Sequence, residues 1–540
     1  MAPSHSDGIL TVRYSALVQH RVARLLLLAL ILVVLGALRL HYNSGEGPLG
    51  LDASNYFQIG RNVAEGRGLV TNVSLYHLAF RKLPARSFQT YPLWPLLLGY
   101  TGRLNGMFRA ADVLSKLFYF LSLVMAYFGA NAIARGAIGR VELIRGWPAL
   151  DFGHVAVLLL GTNYLYFVTT TFPYTEGISF TLMFAAIAVL GAPPVPGIWR
   201  GCTAGALAGL ALLARTQMII IGPAVAGCLV LVALNDRRLV RAAAGCVTAV
   251  AVSLAYWYYG IFGVHDERAT VPEFHAWVEL SSRRAWLADR FQGVLTSFDP
   301  RSPFSYFHLW GPVAVLPLIA AVVALVWWLA KSRRITFRFS PEQVPLLIAL
   351  SAGLMFFATL YNYHSTFLQP WLFGYRHGLP YLLLLLVALP YLMVSTSRLL
   401  RALTILSVLA SVALGLMGVL AFVTSPLPPG PKPSERALSA WLDHQPVPPT
   451  LVTTNAQQLS TWNHAHYHWL LCDDKPQQIR ILLERLPVDY VVVYDAERDC
   501  PVFKGLGGVL TVAGSFGEGR DRIWLLRRKP AVAGVPARSR

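Results

Sequence analysis

Charge is the scarcest feature of this sequence. Only 14% of its 540 residues are charged and 55% are hydrophobic, whereas an average soluble chain is about a quarter charged. An ordinary soluble globular domain is therefore excluded. Cysteine is also scarce: five residues, with no metal-type pair and no dense disulfide framework. Cys202, Cys228 and Cys246 lie in apolar runs and read as small hydrophobes, while Cys472 and Cys500 lie together in the C-terminal segment. No zinc-finger, helix-turn-helix or RNA-binding signature is present, so the net charge of +19 does not argue for nucleic acid. Gly505-Leu-Gly-Gly508 lacks the spacing and context of a nucleotide loop and reads as a turn. No internal repeat is found.

What is abundant is apolar sequence in runs near the length that crosses roughly 30 Å of hydrocarbon. The chain reads as a polytopic α-helical membrane protein. Run 25–40 follows Arg13, Arg21 and Arg24 and precedes no Ala-x-Ala site, so it reads as a retained first span, not a cleaved signal. Spans are predicted at about 23–41, 109–134, 148–169, 177–192, 242–260, 311–330, 343–361, 378–396 and 402–424. Run 201–234 would extend about 51 Å as one helix. An arginine inside an apolar run is costly unless it reaches a polar cavity or an interface, so the run is predicted to turn at Arg215-Thr-Gln217 and form two short spans.

Eleven spans with the N-terminus inside put every short basic connector on one side: Arg135/Arg140/Arg145, Arg200, Arg237/Arg238/Arg241, Lys331/Arg333/Arg334/Arg338 and Arg398/Arg401. This is the positive-inside pattern. Loops 42–108, 261–310 and 362–377 and the whole tail then face outward. The domain expectation is a membrane catalytic region over 1–424, a soluble α/β region over 425–530 behind a proline-rich linker, and a disordered end over 531–540. Within the tail, Ser434–His444 and 479–485 read as helices, and Thr450–Thr454, Val488–Tyr494 and 521–527 as strands. His464-Ala-His-Tyr-His468 would place three imidazoles on one strand face, a candidate metal site. Cys472 and Cys500 would meet an oxidising compartment and can pair. Asn72-Val-Ser74 is an external glycosylation sequon.

The outward loops hold many cations, including Arg61, Arg67, Arg81, Lys82, Arg86, Arg376 and the histidines His364 and His377. Solvated loop charge accounts for most of them; an anionic ligand is a reason to keep two or three, since arginine suits phosphate. The first loop opens with Asp52-Ala-Ser-Asn-Tyr-Phe-Gln-Ile-Gly-Arg-Asn-Val-Ala-Glu-Gly-Arg-Gly68, read as a helix over about 53–65 stopped by Gly66 and Gly68. Asp52 is a good helix N-cap as well as a candidate base. A second short helix follows over about 92–104.

This stretch resembles the first-loop motif of the GT-C superfamily of integral-membrane glycosyltransferases, an acid before a tyrosine-bearing helix that ends at paired glycines. Tyr91-Pro-Leu-Trp-Pro, Thr171-Phe-Pro-Tyr-Thr-Glu176, Leu212-Leu-Ala-Arg-Thr-Gln217 and Gly374-Tyr-Arg-His-Gly-Leu-Pro380 resemble later motifs of that superfamily, in order, over about 50–390. Its relatives include protein O-mannosyltransferases, lipid A aminoarabinose transferases and GPI mannosyltransferases.

The resemblance implies an inverting transfer from a polyprenyl-phosphate sugar donor to a glycan, lipid or protein acceptor at the outer face of the plasma membrane. Asp52 would be the general base and Glu176 the second acid. Arg215, Arg376, His377, Tyr56 and Arg61 are candidates for binding substrate or phosphate. A divalent cation, magnesium or manganese, is allowed, with Asp52 and Glu176 as candidate ligands, though the first loop lacks the paired acids of some relatives. No nucleotide cofactor is called for. Two rivals stand beside this reading: a flippase or transporter of polyprenyl-linked or anionic glycans, which usually shows related halves, and a ligase using a lipid-pyrophosphate glycan.

Overall fold

The computed structural model describes residues 6–41, 51–75, 83–86, 92–143, 147, 149–257, 306–320, 322–323, 339–366, 378–425, 430–472, 474 and 476–529. Arg376, His377, Tyr91, most of loop 261–310 and tail 531–540 lie outside the described residues. Among the described residues ten α-helices lead the chain: α1 Ser6–His41, α2 Leu51–Ala64, α3 Leu93–Asn105, α4 Met107–Ile138, α5 Phe152–Gly161, α6 Tyr164–Thr171, α7 Glu176–Gly191, α8 Ile198–Ala214, α9 Ile221–Ala233 and α10 Val240–Trp257. Helices Val344–Thr366, Leu382–Val394 and Arg398–Thr424 follow, then the strands and short helices of the tail.

The chain divides into two compact units. One comprises Met1–Asn43, Val113–Gly263 and Ser281–Pro426. It is helical because a bilayer offers no partner for backbone N–H and C=O groups, so each segment must bond internally. Among the described residues four helices are long and apolar enough to cross a membrane: His20–His41, Met107–Ile138, Arg237–Trp257 and Arg398–Thr424. A fifth arises if α5 and α6 form one broken span, and six shorter apolar helices of 10–17 residues accompany them. Phe152, Tyr166, Phe167, Phe180, Phe184 and Leu382 lie in the buried core.

The α8–α10 contact is set by glycine. Gly201, Gly205 and Gly209 recur every fourth residue, and a Cβ at the first would sit 2.0 Å from the Ala242 carbonyl oxygen and at the third 1.9 Å from Ser253 Oγ. Small residues let apolar helices approach this closely where lipid supplies no hydrophobic drive. Cys246 is buried along the same contact, and Cys202, Cys228 and Cys246 are all free thiols.

The predicted continuous span over 148–169 is broken. Helices α5 and α6 meet at 64°. Thr162 Oγ1 donates to Leu158 O at 2.7 Å, and the Asn163 side chain accepts from Tyr166 N at 2.9 Å, capping a new helix. The apolar composition conceals this polar punctuation. Run 201–234 also breaks, at Arg215, whose backbone is extended between α8 and a 3-10 turn over Thr216–Ile220.

The second unit comprises Ser44–Asp112, Val264–Leu280 and Leu427–Arg540. Among the described residues its centre is a six-stranded sheet. Five strands come from the tail: β4 Thr450–Thr453, β5 His466–Trp469, β6 Tyr490–Tyr494, β7 Leu510–Phe516 and β8 Ile523–Arg528. The sixth is β2, Val73–Leu75, from the first loop; β1, Val70–Thr71, and β3, Ala85–Arg86, form a separate pair. The order is β2-β5-β4-β6-β8-β7, with the first four strands parallel and the last two joined antiparallel. Alternation along β6 sends Val492 and Tyr494 to one buried cluster and Val491 and Val493 to the other, as a sheet covered on both faces requires. Helix Pro433–Asp443 contributes Leu438 and Leu442 to the first cluster, and helix Pro476–Arg485 contributes Ile479 and Leu482 to the second. Cys472 and Cys500 form a disulfide across a separation of 28 residues. Closing such a loop restricts the unfolded chain by about 3–4 kcal/mol.

Candidate active site

In the second unit, α2 carries Asp52 in its first turn and ends at Gly66 and Gly68, with φ of 82° and 79°. Asp52 therefore sits inside the helix rather than at its N-cap position. A carboxylate there still complements the positive helix end. Tyr56, one turn on, is buried.

Arg61, expected among the phosphate ligands, turns the other way. Its guanidinium donates to the backbone carbonyls of Thr461 at 3.2 Å, Ser460 at 3.0 Å and Asn463. These carbonyls belong to the turn that follows the short helix Ala456–Leu459. Burial, with help from the nearby Arg67 charge, lowers Arg61 to about 10, so it remains a cation at neutral pH. Donor geometry explains the arrangement: both terminal nitrogens of the planar guanidinium are spent on backbone carbonyls.

The same surface of α2 carries a polar network. Gln58 Nε2 donates to Thr71 Oγ1 at 2.8 Å, and Asn72 N donates to Gln58 Oε1 at 3.0 Å. Asn62 Nδ2 donates to Val70 O at 2.8 Å and to Asn72 Oδ1 at 3.0 Å. Tyr467 N then donates to Asn72 O at 2.7 Å, carrying the chain into β2. Asn72 is fully buried, so the sequon it heads is a structural element and not an accessible glycosylation site.

The three-imidazole expectation dissolves similarly. His464 precedes β5 and its Nδ1 accepts from Arg67 Nη2 at 2.9 Å. Burial and the Arg61 and Arg67 charges lower it to about 4, so it is neutral, and its 3.6 Å approach to Glu65 is not an ion pair. His468 is buried within the sheet, and burial, with the neighbouring His466, lowers it to about 4.

In the first unit, Glu176 opens α7 and is buried, as is Arg215 at the α8 break. Arg215 Nη1 donates to Glu176 Oε1 and its Nε to Gln217 Oε1 at 2.8 Å. A buried charge pair of this kind holds only where further hydrogen bonds support it. Two sequence-nominated residues, 39 positions apart, are thus brought together, and Gln217 joins them. Arg39 was missed. It is fully buried at the end of α1 and donates from Nη2 to Thr170 O at 2.9 Å, on α6. The signal was present, because Leu38-Arg39-Leu40 places an arginine in an apolar run just as Arg215 is placed. Asp151, by contrast, is a buried carboxylate fully engaged in structure: it caps α5 through His154 N and accepts from Tyr127 Oη at 2.8 Å and Asn131 Nδ2 at 3.0 Å.

A resident divalent metal needs several converging oxygen or imidazole donors. Among the described residues no group of three histidine, cysteine, aspartate or glutamate side chains converges, and Glu176 is engaged by a guanidinium.

No protein-family model and no curated protein matches the chain. Solved structures do match. The archaeal oligosaccharyltransferase AglB from Archaeoglobus fulgidus, in complex with an inhibitory peptide and a dolichol-phosphate, superposes with a TM-score of 0.54 at 10% identity, over 88% of this chain and 70% of its own. ArnT from Cupriavidus metallidurans bound to undecaprenyl phosphate gives 0.51 at 16% identity, over 93% and 97%. The mycobacterial arabinofuranosyltransferase AftD gives 0.54 at 15% identity, over 93% of this chain and 41% of its own. The chain has the GT-C fold. At these identities the likeness is one of architecture. An AglB structure in complex with zinc and sulfate is also among the matches.

Proposed function

We propose that this GT-C protein is an inverting glycosyltransferase that moves a sugar from a polyprenyl-phosphate carrier to an acceptor hydroxyl on a glycan, lipid or protein. The observation supporting this is the fold it shares with AglB, solved with a dolichol-phosphate, and ArnT, solved with undecaprenyl phosphate. Asp52 takes the acceptor proton as the hydroxyl oxygen attacks the anomeric carbon. The bond from that carbon to the phosphate oxygen breaks, and polyprenyl phosphate leaves with the electron pair. One displacement inverts the anomeric centre. Arg215, fixed by Glu176 and Gln217, stabilises the charge growing on the phosphate. Tyr56, Arg376 and His377 are assigned to substrate contacts. No step is routed through a metal.

We place the protein in the plasma membrane with eleven crossings, the N-terminus inside and the reaction outside. The Cys472–Cys500 disulfide supports an oxidising compartment for the sheet. A second reading, transfer of a preassembled glycan, is favoured by the oligosaccharyltransferase among the neighbours. Donor size separates the two.

The test uses full-length protein in detergent with undecaprenyl-phosphoryl hexoses and pentoses and a membrane glycolipid extract as acceptor. Release of undecaprenyl phosphate is followed. Positioned bases contribute about 100- to 10,000-fold, so Asp52→Asn is expected to lose that factor while still binding undecaprenyl phosphate. Full turnover by Asp52→Asn refutes the base, and no release from any monosaccharide donor refutes the donor class.

A further inference from the structure

The tail region is joined to α2 by two routes, through β2 and through Arg61. Strand β2 enters the sheet beside β5, pairing Val73 with Tyr467 and Leu75 with Trp469. Gln58, Asn62 and Asn72 lock β1 and β2 to α2. Arg61 reaches from α2 to three carbonyls roughly 400 residues later in the chain. Arg61 does not share the helix face of Asp52. At about 3.6 residues per turn, Arg61 lies nine positions and so half a turn around the helix from it. Val63 shares the Asp52 side, and there it presses on α3: a Cβ at Gly99 would sit 2.6 Å from Val63 Cβ. Helix α2 is therefore gripped on one side by α3 and on the other by the C-terminal segment.

We infer that Arg61 is a positioning residue, and that the C-terminal sheet is the scaffold which sets the height and rotation of α2. This rests on the reading of Asp52 as the base. Three bonds from one rigid fork to three carbonyls fix a helix more tightly than a single contact does, and a displacement of about 1 Å at a reacting group can cost on the order of 100-fold in rate. The role given to the tail is thus to hold the carboxylate, with no requirement that it bind acceptor.

The test compares full-length Arg61→Ala with Arg528→Ala. Arg528 bonds Leu483 O at 3.1 Å in the same C-terminal region without touching α2. With the undecaprenyl-phosphoryl sugar that the wild type turns over, Arg61→Ala is expected to lower kcat at least tenfold, leave the donor KM within about twofold, and speed amide exchange across α2. Arg528→Ala is expected to keep wild-type kcat. Arg61→Lys, which keeps the charge but not the fork, should give the same split at smaller amplitude, and it serves if the alanine variant does not fold. An unchanged kcat in a folded Arg61 variant overturns the inference, and so does an equal fall in Arg528→Ala. Failure of the base reading shows separately, as full turnover by Asp52→Asn with α2 exchange still accelerated in Arg61→Ala.

Discussion

Replacing Glu176 by glutamine changes one atom and little volume, yet it removes the counter-charge of a guanidinium that is only 7% exposed. The bond from Arg215 Nη1 to Glu176 Oε1 would become one to a neutral amide, while Gln217 still holds Nε. Removing one partner of a buried ion pair costs about 3–5 kcal/mol, whereas replacing both by apolar residues of similar volume is often near neutral. The two single variants, Glu176→Gln and Arg215→Met, are therefore expected to be much less stable than wild type. The double variant Glu176→Met/Arg215→Met should recover most of the loss. Thermal unfolding of the detergent-solubilised chain reads the series, and non-additivity of 0.5–3 kcal/mol is the usual scale for residues in contact. A Glu176→Gln protein as stable as wild type, or a double variant whose loss equals the sum of the singles, would refute the claim that this contact is a charge pair shielded from water. Activity adds a second axis: the double variant should be folded and slow, because the cation proposed to face the phosphate is gone.

Two further outcomes follow from packing and titration. Gly205→Leu in α8 should destabilise the helical unit and lower the yield of folded protein, because even a Cβ there would lie 2.6 Å from the Cys246 carbonyl oxygen; wild-type stability would refute the close packing with α10. His468 has its folded value lowered to about 4 from 6.5. Below 6.5 the unfolded chain takes up a proton that the folded chain refuses, so this contribution is complete above pH 6.5 and is lost as pH falls toward 4. The loss reaches about 2 kcal/mol by pH 5. His468→Gln should flatten the dependence of the unfolding midpoint between pH 7 and pH 5, and an identical slope in the variant would show that His468 is not the titrating group.

Hydrophobic run length, arginine placement and glycine punctuation were enough to identify a helical membrane protein. They also located the α2 helix with its Gly66–Gly68 stop, the break at Arg215, and a tail of alternating helices and strands. Each of these is a local property: burial in lipid forces runs of a given length, and a charge inside such a run or a positive φ forces a break. The motifs pointed to the GT-C fold because they occur along the chain in the order that superfamily has them. Three things depended on tertiary structure. A strand of three residues, Val73–Leu75, joined a sheet whose other strands begin near residue 450, and no local pattern marks so short a strand for so distant a partner. Arg61 and Asn72 looked like an anion ligand and a glycan acceptor, because sequence shows which donors and acceptors exist but not which carbonyls they meet. Glu176 and Arg215 were each nominated alone, and only the fold made them partners: a buried charge must find its counter-charge in space, and the chain alone does not say where that will be.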